Sequence, residues 1–190
     1  MNPREQQFLK DYFDQYRRSI FCTDVTKELI DLKNLIVGVH AMGRKTIIAG
    51  NGGSAAIASH CAVDFTKNAG IRCINFNEAD LITCFANDYG YEHWLAKALE
   101  FYADEKDAVI LISSSGQSPN VLYAGKYARD SKLQLITFTG FSESNPLKSM
   151  GDINLWVNSG AYNIVETTHQ IWLLAVCDLI IGAAEYPTKR

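Results

Sequence analysis

The sequence has no CxxC pair, no excess of basic charge and no uninterrupted apolar run near the ~20 residues that a membrane span requires. Each absence removes a class of function. Five cysteines, Cys22, Cys61, Cys73, Cys84 and Cys177, are an odd number without close partners, which argues against a metal knuckle, a redox motif or a disulfide framework. They read as reduced thiols in a cytoplasmic protein. A net charge of −3 argues against broad binding to nucleic acid or anionic membrane, a local basic patch aside, so neither is expected as a partner. The opening stretch MNPREQQFLKDYFDQYRR is polar and charged and does not read as a secretory signal. Repeats, low-complexity tracts and Pro/Gly/Ser linkers are also missing. A chain of 190 residues that is 47% hydrophobic suffices for one domain with a substantial core.

What is present is a regular alternation. Phe8, Leu9, Tyr12, Phe13 and Tyr16 share one face of a helix expected over 4–20, and Leu29, Leu32, Ile36 and Val39 predict a second over 25–42, ended by Gly43. These form an N-terminal helical part, 1–43, preceding an α/β core at 44–190. Short apolar runs then alternate with helical stretches. Strands are expected at 45–50, 71–76, 107–113, 133–140 and 152–158, with helices at 55–67, 81–86, 120–131 and 163–184. Continuous apolar strands separated by helices indicate a mainly five-stranded parallel sheet in a three-layer α/β/α sandwich, with two helices in front and one behind. The last helix is apolar almost all round, which implies burial on most sides, against other subunits or, alternatively, as a central core helix.

Two loops follow strands where open parallel sheets bind ligands: GNGGS at 50–54 and SSSGQS at 113–118. Glycines let backbone N–H groups approach an anion, and each loop opens a helix whose N-terminus favours negative charge. Ser118-Pro119 fits a helix N-cap followed by proline. Ser113, Ser114 and Ser115 cannot all be caps, so they read as an oxyanion cradle, best suited to a phosphomonoester. Neither loop ends in the Gly-Lys-Ser/Thr of a nucleotide P-loop. GNGGSA fits a loose dinucleotide pattern, but the second strand ends INFN, without the acidic residue a ribose requires. No nucleotide cofactor is expected.

The stretches GNGGSAAIASHCAVDF, CFANDYGYEHWL and LISSSGQSPNVLYAGKYARDSKLQLITFTG closely resemble the SIS (sugar isomerase) domain family, within it the phosphoheptose isomerase group. The resemblance implies the SIS fold, a homotetramer, and interconversion of a ketose phosphate and an aldose phosphate, with sedoheptulose 7-phosphate the leading substrate. It assigns phosphate binding to Ser113, Ser114, Ser115 and Ser118, the site lining to Asn51, Gly52, Gly53 and Ser54, and contacts with sugar hydroxyls to Asn87 and Asp88.

The same resemblance locates a departure. His60 stands at the family's first histidine, while Asp64 replaces the usual glutamate and sets its carboxylate back by roughly 1–1.5 Å. The group's final-helix glutamine and histidine fall on Val165 and Leu173 here, neither of which ligates metal or moves a proton. Nearby Glu166 and His169, three apart, are the replacements expected on one helix face. Three alternatives stand open: a rebuilt site in which His60, Asp64 and His169 hold zinc, isomerisation without metal, or a non-catalytic phosphosugar-binding, regulatory or partner-binding protein. In the enzymatic readings Glu166 or His169 takes the C–H proton, Asp64 is the second candidate base, and His60 polarises oxygen. His40 and His93 read as structural or surface residues.

Overall fold

The computed structural model describes residues 2–187; the outermost residues of the expected 1–190 domain lie outside them. Five strands, Thr46–Gly50 (β1), Cys73–Ile74 (β2), Ala108–Ser113 (β3), Gln134–Thr139 (β4) and Ile153–Trp156 (β5), form one all-parallel sheet in the order β2-β1-β3-β4-β5. The register pairs Gly50 with Ile112 and Ser113 with Thr139, so β1, β3 and β4 end side by side. β1 and β3 are buried along their whole length because both sheet faces are covered. Alternation divides their side chains: Ile48, Ile110 and Ile112 point into one apolar layer, Ile47, Ala49, Val109 and Leu111 into the other.

Seven helices complete the described residues: Pro3–Phe21 (α1), Thr26–Ala41 (α2), Gly53–Lys67 (α3), Ala79–Tyr89 (α4), Trp94–Tyr102 (α5), Pro119–Asp130 (α6) and Tyr162–Ile181 (α7). α2, α3 and α7 cover the first face, and α5 and α6 the second. Along the chain α1 and α2 precede the first strand and α7 follows the last, as expected. α5 was not anticipated; its Trp94, Leu95, Ala98 and Leu99 recur at helical spacing and are fully packed against the sheet. The second expected strand shrinks from six residues to Cys73–Ile74, since β2 lies at the sheet edge and pairs only with β1.

α7 ends at Ile181, stopped by Gly182 at φ 85°, short of the expected 184. Its apolar character is largely explained inside the chain. Ile164, Val165, Trp172, Leu173 and Val176 face the core, while Ile171 and Leu179 face outward. By length and composition alone α7 is long and apolar enough to cross a membrane, contrary to the sequence expectation. In the fold its inner face packs on α2 and α3 and carries the buried polar residues Thr168 and His169.

Candidate functional site

The sheet order changes direction between β1 and β3, so the loops following these strands diverge and leave a crevice at their C-terminal ends. Both sequence-marked loops meet there. A cavity of about 260 Å³ is lined by Asn51, Gly52, Gly53 and Ser54 from the first loop and by Ser113, Ser114, Ser115 and Ser118 from the second. Tyr162 and Glu166 of α7 close it. All eight loop residues expected at the site are thus brought together.

The serine loop is held by its own groups. The Gly116 N–H donates to Ser113 Oγ (3.2 Å) and to the Ser113 carbonyl (3.0 Å), and the Gln117 N–H donates to Ser115 Oγ (3.2 Å). Gly116 adopts φ 63° and lies against Asn145; a Cβ there would come within 2.9 Å of the Asn145 Cβ. Ser118 occupies the N-cap of α6, yet its hydroxyl bonds no helix N–H and lies 3.4 Å from Ser113 Oγ. Ser114 Oγ is buried without any protein partner. A buried hydroxyl is normally paired; Ser114 lines the cavity, and turning its hydroxyl towards a ligand there would cost no protein hydrogen bond.

The other loop is fixed by an amide pair. Asn51 Nδ2 donates to Asn120 Oδ1 (2.8 Å) and Asn120 Nδ2 donates back to Asn51 Oδ1 (2.9 Å). Asn120 was missed from sequence; its signal was a polar residue just after Ser118-Pro119, on the buried side of α6.

Glu166 takes the central position. Its carboxylate packs over Gly53, where a Cβ would lie 2.6 Å from Cδ and 2.8 Å from Oε1, so only glycine lets it approach the start of α3. Burial raises the Glu166 pKa above the usual glutamate range. Glu166 also borders a second cavity of about 340 Å³ shared with Gly53, Ala56, Ile57, His60, Thr167 and Gln170. One carboxylate therefore stands between the serine cradle and the His60 face of α3.

His60 Nε2 lies 3.2 Å from Asp64 Oδ2, one helical turn away, and Asp64 Oδ1 accepts from Asn68 Nδ2 (3.1 Å). His169 is not with them, and the sequence assignment is corrected here. It is fully buried, its Nε2 is 3.0 Å from the Thr139 carbonyl, and its ring packs edge-on to Phe138. Residues three apart are offset by roughly 60° around a helix, and Glu166 sits at the rim, so that offset carries His169 into the core. Gln170, four residues on, is the one that joins Glu166 at the second cavity. Val165 and Leu173 are buried too. Among the described residues no three His, Cys, Asp or Glu side chains converge to hold a metal ion, so the His60/Asp64/His169 zinc set does not fit this chain. Asn87 and Asp88 are exposed at the end of α4, bonded to each other (2.9 Å), and line neither cavity.

The SIS domain model matches residues 11–140, which include both loops and stop short of α7. The phosphoheptose isomerase of Fusobacterium nucleatum is 31% identical over 169 residues, 86% of this chain and 87% of that protein. The structure of the phosphoheptose isomerase GmhA from Neisseria gonorrhoeae superposes with a TM-score of 0.87 at 24% identity, covering 94% of this chain and 99% of that one. That of a phosphoheptose isomerase from Francisella tularensis gives 0.86 at 24% identity, over 96% of this chain and 100% of that one. With two loops meeting at the switch point and relatives matching over most of its length, the chain belongs to the SIS domain family and is similar within it to phosphoheptose isomerases.

Proposed function

We propose that this chain interconverts a ketose phosphate and an aldose phosphate, with the phosphate in the serine cavity and Glu166 as the base. One observation carries the reading: the Glu166 carboxylate borders both the cavity holding the unpaired Ser114 hydroxyl and the cavity holding His60. The two volumes together fall in the range of roughly 300–1,000 Å³ usual for small-molecule sites. Neutral serine donors and the N-termini of α3 and α6 bind the phosphate and orient the sugar.

Glu166 removes the proton from the carbon beside the carbonyl, leaving an enediolate, and returns it to the neighbouring carbon. The hydroxyl proton passes from one oxygen to the other. His60, oriented by Asp64, polarises the oxygen on which negative charge develops. A carboxylate whose pKa burial has raised is a better match to neutral pH than an exposed one. Similarity to phosphoheptose isomerases supports a seven-carbon substrate, sedoheptulose 7-phosphate. Exposed Phe8, Phe13, Ile171 and Leu179 on α1 and α7 support a homotetramer packed through these helices.

The test is turnover of sedoheptulose 7-phosphate by the native protein and by Glu166→Gln. The variant should bind the sugar phosphate and lose about 10²–10⁴-fold in kcat; near-native turnover would exclude Glu166. A second reading, binding without catalysis, is favoured by the burial of Val165, His169 and Leu173, which leaves α7 with no histidine at the site. It predicts stabilisation of the native protein by the sugar phosphate with no product, and the same assay with zinc or chelator asks whether an ion acts beside His60.

A further inference from the structure

His169 is buried, bonded and unused by the chemistry above, and its place in the hydrogen-bond pattern gives it another role. The Thr139 oxygen is an acceptor, so His169 Nε2 carries the proton, and Nδ1 is left buried without a partner. Burial depresses the ring's pKa from 6.5 to about 4, which keeps it neutral, and the bond to the Thr139 carbonyl holds this tautomer. The Thr139 carbonyl also accepts from the Val157 N–H (2.9 Å), so the ring ties α7 to the point where β4 and the chain leaving β5 part. The other side of the same peptide group, the Gly140 N–H, donates to the Ser114 carbonyl (2.9 Å). Asn145 supplies the second arm: its Nδ2 donates to Thr139 Oγ1 (3.2 Å) and to the Ser142 carbonyl (2.8 Å), and its side chain abuts Gly116.

The geometry points to His169 and Asn145 as positioning residues for phosphate recognition: they fix the end of β4, and β4 fixes the serine loop through Gly140 and Ser114. Neither touches the cavity. The inference rests on the functional reading only in taking the serine cavity as the phosphate site.

Calorimetric binding of inorganic phosphate and of sedoheptulose 7-phosphate to the full chain tests it, with His169→Leu, His169→Gln and Asn145→Ala alongside the native protein. Leucine removes the donor at similar volume, whereas glutamine can present an N–H near the position of Nε2. His169→Leu should weaken both ligands by about the same factor, about tenfold for one lost orienting hydrogen bond, and leave kcat at saturation within about twofold. His169→Gln should recover to within about threefold of native affinity. Asn145→Ala, which removes the donors without adding charge, should weaken both ligands as well, and decides the matter if His169→Leu does not fold. Native phosphate affinity in His169→Leu or in Asn145→Ala would overturn the inference. So would a loss seen with the sugar phosphate and not with inorganic phosphate. Failure of the native protein to bind either ligand is a different result: it removes the phosphate reading of the cavity, and this inference with it.

Discussion

Replacing Gly53 by alanine separates stability from activity. The new Cβ would lie 2.6 Å from Glu166 Cδ, against ordinary contact distances of about 3.5–4 Å, so the carboxylate must retreat by about 1 Å. Retreat is easy, because the obstacle is the end of a flexible side chain and Gly53 has no left-handed φ to defend. Alanine at the start of α3 also improves helix propensity, by up to about 1 kcal/mol. Folding stability should therefore hold or rise. A base misplaced by about 1 Å, however, costs on the order of 10²-fold in rate, equivalent to about 2.7 kcal/mol in the barrier. Thermal unfolding and steady-state kinetics of Gly53→Ala should show an unchanged or higher Tm, kcat about 100-fold lower, and KM within a few-fold of native, since the serine loop is untouched. If kcat stays within threefold of native, the position of Glu166 over Gly53 does not matter to the reaction and its assignment as base fails.

Three further outcomes follow from the same geometry. Ser114→Ala removes a hydroxyl that has no protein partner, so Tm should stay within about 2 °C while affinity for a phosphate ligand drops about 10–100-fold, as for a hydrogen bond to a charged group; equal affinity in calorimetry would remove Ser114 from the cradle. His169 has its pKa lowered in the fold to about 4, so the unfolded chain binds that proton more tightly. The stability this provides is present above pH 6.5 and lost as pH falls towards 4, by up to about 3 kcal/mol; urea unfolding across this range should show the loss in the native protein and a reduced one in His169→Gln. Asp107, fully buried at the other end of the sheet, accepts from the Lys45 N–H (2.9 Å) and the Asp104 N–H (2.8 Å) and pairs with Lys45 Nζ (2.6 Å). Asp107→Ala should cost about 3–5 kcal/mol in urea unfolding by leaving Lys45 largely buried and underpaired, and a loss below 1 kcal/mol would refute that account.

The strands were legible because burial on both faces imposes an unbroken apolar run, as in DAVILIS ahead of the serine loop. Both ligand loops were legible for a related reason: a strand, a cluster of glycines or hydroxyls, and a helix follow one another within a dozen residues, so local sequence carries the geometry. α5 was obscured because Trp94–Tyr102 is short and follows the polar, aromatic run NDYGYEH without a clear helix start. The edge strand β2 was overestimated because IRCINF is apolar for more residues than its single neighbour can pair.

The final helix marks the boundary between the two kinds of information. Composition and periodicity established that residues near 163–181 form an apolar helix, and the family resemblance made the substitution of its usual polar residues visible. Which of Glu166, His169 and Gln170 faces the ligand could not be read from spacing. All three lie within one turn or so of one another, and the rotation of α7 is set by how Ile164, Val165, Trp172 and Leu173 pack on α2, α3 and the sheet. That packing turns Glu166 and Gln170 to the cavities and His169 to the Thr139 carbonyl. Apart from α5 and the extent of β2, the sequence alone determined the element types and the serine and glycine loops, because these depend on neighbours along the chain. The tertiary structure decided the roles on α7, because a helix face has meaning only relative to what it packs against.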